Sequence, residues 1–105
     1  MKLYNGDKLV AVSFEQNGLI WGLRALDDVP QMEIPLALFG FEGREVTYTQ
    51  VLKWMEERCF PPNRIGVEDL LQKLGLKEYD PYMIAKRTQS RTIHDEFWVD
   101  FEFDK

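Results

Sequence analysis

The end of the sequence constrains the fold most. Phe97, Val99, Phe101 and Phe103 interleave with Trp98, Asp100, Glu102 and Asp104, a period of two that sorts apolar side chains to one side of an extended chain and mostly acids to the other. A strand of this kind has a face to bury and backbone donors and acceptors to pair, so it requires a sheet formed elsewhere in the chain.

The N-terminal region supplies that sheet. Asn5-Gly6-Asp7 separates Leu3-Tyr4 from the β-branched run Leu9 to Phe14, and Asn17-Gly18 separates that run from Leu19 to Leu23. Both dipeptides tolerate the positive φ of tight hairpin turns, so the segment reads as a three-stranded antiparallel meander. The segment from Asp27 to Gly43 is less decided. Asp27-Asp28-Val29-Pro30 is loop-like, Pro35 to Phe39 is too short for its period to separate a buried helical turn from a short strand, and Gly40 and Gly43 mark a turn.

Three helices are expected next, each announced by its ends. Thr47 and Gln50 have capping-box spacing with Val46 and Val51 at the staple positions, and Tyr48, Val51, Leu52 and Met55 follow on one face before Pro61-Pro62 stops the helix. Glu68 and Asp69 open a second helix over about 67–74, whose apolar face is Val67, Leu70, Leu71 and Leu74 and whose stop is Gly75, with Leu76 placed to fold back on Leu71. Asp80-Pro81 caps and starts a third, with Tyr79 and Ile84 as its staple. The expected fold is therefore α+β: an N-terminal antiparallel β-meander of about three strands, three short helices, and a C-terminal strand returning to the sheet, in a single domain spanning 1–105. A chain that is 45% hydrophobic has the apolar content for one core, and 105 residues leave no room for a second.

Charge and cysteine content narrow the function. A net charge of −5 disfavours direct nucleic-acid binding, which draws on a surplus of Lys and Arg. Cys59 is the only cysteine, which fits a reducing compartment, the cytoplasm. No apolar run has the length of a signal peptide or a membrane span.

The chemistry-bearing residues do not assemble a catalytic signature. Cys59, His94 and Asp95 are the residue types of a cysteine nucleophile, its base and an orienter, but Cys59 sits beside a diproline loop without a nucleophile motif, so a structural thiol is the expectation. Acids alternating along a strand stand about 7 Å apart per step, too far to wrap one cation. Gly40-Phe41-Glu42-Gly43 lacks the lysine and hydroxyl of a phosphate-binding loop. Neither a cofactor nor a metal is therefore expected. Lys86, Arg87 and Arg91 form a small basic group at a helix end, where cations favour the dipole and where an anion contact is the alternative.

From Asp95 to Asp104 there are five acids and no base. Edge protection of a sheet accounts for such a run. The sharper reading is a docking ridge for a protein partner with a basic groove, made of Asp95, Glu96, Asp100, Glu102 and Asp104 with Trp98 as its aromatic anchor.

Further residues carry a family resemblance: Trp54 to Pro61, Asn63-Arg64, Leu70-Leu71 with Leu74-Gly75-Leu76, Tyr79-Asp80-Pro81, and Asp95 with Phe97-Trp98. This stretch, 54–98, resembles small proteins and N-terminal modules of Firmicutes, some attached to or near HipA-like kinase domains. The resemblance implies a regulatory or toxin–antitoxin setting. It does not imply phosphoryl transfer, because the phosphate-covering loop, the Lys–Glu pair and the catalytic and metal-binding residues of a kinase are missing from the sequence. The expected function is a non-enzymatic module that binds and modulates a partner protein. The alternative is a mobile-element inhibitor of a nucleic-acid-binding defence enzyme, similar in size and acidity to some anti-CRISPR proteins.

Overall fold

The computed structural model describes residues 1–101. Five strands form one antiparallel sheet: β1 (Lys2–Asn5), β2 (Lys8–Gln16), β3 (Leu19–Ala25), β4 (Glu45–Thr47) and β5 (Phe97–Asp100), in the spatial order β4-β3-β2-β1-β5. The expected meander is present. Its second turn has Asn17 at φ 55° and Gly18 at φ 81°, the paired positive values of a hairpin whose twist matches its strands. The C-terminal strand joins the sheet as expected, placing Leu3 opposite Val99 and Tyr4 opposite Trp98. Glu102, Phe103 and Asp104, which continue the alternation, lie outside the described residues.

One face of the sheet is dry. Val99, Leu3, Ala11, Leu23 and Val46 are buried on it, against Leu38 and Phe39 of a short helix α1 (Leu36–Phe39), Val51, Trp54 and Met55 of α2 (Tyr48–Glu57), and Ala85 of α4 (Pro81–Thr88). The remaining helix, α3 (Val67–Lys73), buries only Leu71. Its expected companions Val67, Leu70 and Leu74 are half-exposed, and the helix rides at the margin of the domain. In α2, Tyr48 and Leu52 are likewise only half-buried, and they line an open groove of about 390 Å³ with Pro81 and Tyr82.

The helix ends follow their local chemistry. Thr47 Oγ1 accepts from Gln50 N–H at 3.2 Å while Thr47 N–H donates to Gln50 Oε1 at 2.8 Å, completing the capping box. Asp80 Oδ1 accepts from the N–H groups of Tyr82 and Met83. Beyond α3, Gly75 at φ 74° lets Leu76 N–H donate to Leu71 O at 2.8 Å, with Gly75 N–H on Gln72 O, the paired bonds of a Schellman stop. Thr47→Ala is expected to cost about 1 kcal/mol and to lower a calorimetric melting temperature by about 5 °C, with the fold retained.

Two elements go beyond the sequence expectation. The undecided run at 35–39 is helical, and β4 extends the sheet past β3 with Val46 opposite Leu23. No helix among the described residues is long and apolar enough to cross a membrane.

Candidate functional site

The described acids of the C-terminal edge, Asp95, Glu96 and Asp100, each have different surroundings. Asp95 lies in a fork: Arg58 Nη1 and Nη2 each donate to one of its carboxylate oxygens at 2.8 Å, while Arg58 Nε donates to Ser90 O at 2.7 Å and Nη2 to Phe97 O at 3.0 Å. The Arg58 guanidinium stands 4.4 Å from the Trp54 ring centroid and its side chain is 9% exposed. Hydrogen bonds from Arg58 hold the Asp95 carboxyl below its ordinary value; partial burial opposes them, and the N–H of Phe97 and the Arg58 charge reinforce them. Asp100 lies directly opposite Lys2 across the β1–β5 ladder, an arrangement that favours opposite charges. Glu96 is exposed, and its carbonyl accepts from Gly6 N–H at 2.9 Å. Glu102 and Asp104 are outside the described residues.

Trp98, the expected anchor, is already engaged. Its ring stacks on Tyr4 at 4.5 Å and 10°, its Nε1–H donates to Gly6 O at 2.8 Å, and the Arg91 guanidinium lies 4.4 Å from its centroid. The described part of this edge thus carries mixed charge, in which Arg58 is forked to Asp95, Lys2 stands opposite Asp100 and Arg91 lies over the Trp98 ring. It is also covered on its outer side, where Val99 N–H donates to Gln89 O at 2.8 Å.

The thiol is held in its protonated form. Cys59 Sγ lies 3.4 Å from the carbonyl oxygens of both Met55 and Pro81. Burial, with the nearby charge of Glu56, pushes its pKa up to about 11. A nucleophilic cysteine needs the opposite shift. Cys59 and His94 do line the same open groove, but their surroundings do not activate sulfur.

A different surface emerges between β3 and β4. Met32 is 89%, Leu36 56% and Phe41 83% exposed, yet the connector bearing them is tied down at several points. Gln31 Nε2 donates to Gly40 O at 3.2 Å and to Gly43 O at 2.7 Å, and Gln31 Oε1 accepts from Arg44 Nη1 at 3.2 Å. Arg44 Nη2 donates in turn to Leu26 O at 2.6 Å. Asn5 Nδ2 donates to Glu33 O at 3.1 Å, and Lys8 pairs with the Glu33 carboxylate at 2.9 Å. Val29, Ile34, Leu38 and Phe39 are buried beneath. Large apolar groups held out on a locked support have the form of contact anchors. Sequence reasoning missed them because Leu36 fell in a run whose period did not separate a buried helical turn from a strand, Phe41 fell in a glycine-flanked turn, and Met32 belonged to no motif. Leu19 and Trp21, 68% and 48% exposed, form a second apolar pair near the β2–β3 turn.

No protein-family model matches the chain, and neither the curated proteins nor the solved structures contain a match.

Proposed function

We propose that this chain is a non-enzymatic protein-binding module that modulates a partner protein, with Met32, Leu36 and Phe41 at the centre of the contact. The observation that carries this reading is the exposure of three large apolar side chains on a connector fixed by the Gln31–Arg44 bonds. An interface formed on a preorganised loop loses little conformational entropy on binding. The resemblance of 54–98 to modules beside HipA-like kinases supports a regulatory, toxin–antitoxin-type role, and a lone free thiol at Cys59 supports the cytoplasm. The acidic strand is secondary in this reading, because Asp95 is forked to Arg58 and Asp100 faces Lys2.

The test compares the wild-type chain with the triple variant Met32→Ser, Leu36→Ser, Phe41→Ser as affinity ligands in native lysate at physiological salt. Wild type retains a stoichiometric partner. The triple variant, with an unchanged melting temperature, binds that partner more than about 100-fold more weakly, since a contact anchor contributes ~2 kcal/mol or more. Absence of a stoichiometric partner, or equal retention by both chains, would sink the reading.

A further inference from the structure

A second face of the molecule has a different chemistry. The C-terminus of α2, the turn at 60–66 and the turn at 91–95 enclose an open groove of about 580 Å³. Its lining combines Arg58, Arg64 and Arg91 with Glu57 and Asp95. The Arg58–Asp95 fork cancels internally, so Arg64 and Arg91 face the single acid Glu57, with His94 beside them. In a chain of net charge −5 this is a local reversal of sign. Arg64 is exposed and has no ion-pair partner among the described residues. Arg91 donates Nε–H to Gln89 Oε1 and rests on Trp98, with no carboxylate partner among the described residues.

Each arginine stands near an exposed aliphatic side chain. Ile65 follows Arg64 and is 98% exposed; Ile93, which lines the groove, lies between Arg91 and His94 in the chain and is 97% exposed. Phe60 adds a half-buried ring to the wall. Both turns are held in place. Tyr79 Oη–H donates to Phe60 O at 2.6 Å and Arg64 N–H to Pro61 O at 3.2 Å on one side. On the other, His94 N–H donates to Thr92 Oγ1 at 3.2 Å and Phe97 N–H to Asp95 Oδ1 at 3.0 Å. The groove already shows its preferred chemistry in the Arg58–Asp95 fork, a planar guanidinium taking both oxygens of a carboxylate.

We propose that this groove binds an acidic segment of a partner protein that carries a large apolar side chain, its carboxylates directed to Arg64 and Arg91 and its apolar group to Ile93 and Phe60. Complementary charge selects the segment, because most of this acidic surface repels it and the groove does not. The site rests on the protein-binding reading but is independent of the connector at 32–41.

The experiment follows backbone amide resonances of the full isotope-labelled chain during titration with three probes. These are the capped peptide Glu-Glu-Leu-Phe-Glu-Glu, its counterpart with lysine at every glutamate, and inorganic phosphate. The glutamate peptide is expected to shift amides at 57–65 and 91–95 saturably, more weakly as salt is raised, while the lysine peptide leaves them in place. Arg64→Glu and Ile93→Ser, both at exposed positions, are expected to keep the spectrum of a folded chain and to weaken binding about tenfold each. Equal shifts from the lysine peptide overturn the charge selection, and equal shifts from phosphate overturn the need for an apolar group. If only amides at 32–41 respond, the groove is overturned and the connector contact stands.

Discussion

Gly22→Ala is expected to lower the melting temperature by roughly 15 °C, a loss of about 3 kcal/mol or more, which calorimetry on the purified chain would read. A β-carbon added at Gly22 would stand 1.7 Å from Val46 O and 2.8 Å from Val46 C. Both are backbone atoms of β4, so no side-chain rotation relieves the overlap. Gly22 pairs with Thr47 and the neighbouring Leu23 with Val46, hence β4 must move away and uncover Leu23 and Val46, both buried. Gly75→Ala provides the contrast: its surroundings are open and its φ is 74°, so the substitution meets only the left-handed penalty of about 1–2 kcal/mol. If the two variants melt together, the close approach of β3 and β4 is not what requires glycine.

Arg58→Ala is expected to be comparably severe, at about 3 kcal/mol. The guanidinium joins the C-terminal end of α2 to Ser90, Asp95 and Phe97 at once, and its loss leaves two backbone carbonyls short of a donor. Arg58→Lys rescues little, because an ammonium lacks the fork that meets both Asp95 oxygens. The pair also sets a pH dependence. Asp95 has a folded-state pKa below its ordinary value of 3.8, so its contribution is fully present above about pH 4 and disappears as pH falls through the depressed folded value. Asp95→Asn therefore lowers stability at pH 7 and flattens the acid limb of a plot of melting temperature against pH. An unchanged acid limb in that variant would remove Asp95 from the account.

The contrast between these two sites and the helix ends shows what a sequence displays. Asn17-Gly18, Thr47 with Gln50, Gly75 and Asp80-Pro81 were all legible because each device lies within a few residues and its geometry follows from residue type. β5 was legible from its alternation, as was its pairing with the N-terminal meander, the other strongly strand-like region; which of the three strands it joins, β1, was not. β4 was not, since three residues running straight into the Thr47 cap have no period of their own; the open side of β3 gives them their strand pairing. The Arg58–Asp95 fork spans 37 positions, and neither residue carries a local mark of the other. The connector is similar: Leu36 and Phe41 look like Leu38 and Phe39 in sequence, yet the first two are exposed and the last two buried on a segment whose ties, from Gln31 and Arg44, reach carbonyls distant in the chain. The acidic run from Asp95 was legible as composition, but its partners, Arg58 and Lys2, come from distant parts of the chain.

The pairing of Leu3 with Val99 has a consequence in time. β1, β2 and β3 are joined by tight turns and can zip locally, whereas the other side of β1 must await a strand from nearly the far end of the sequence. Contacts this distant dominate the loop-closure cost of the folding barrier. On the ribosome, a chain that has already formed its meander therefore presents an unpaired β1 edge, with Tyr4 lacking its Trp98 cover, until residues 97–100 emerge. That interval is when an intermolecular strand could most readily take the place of β5.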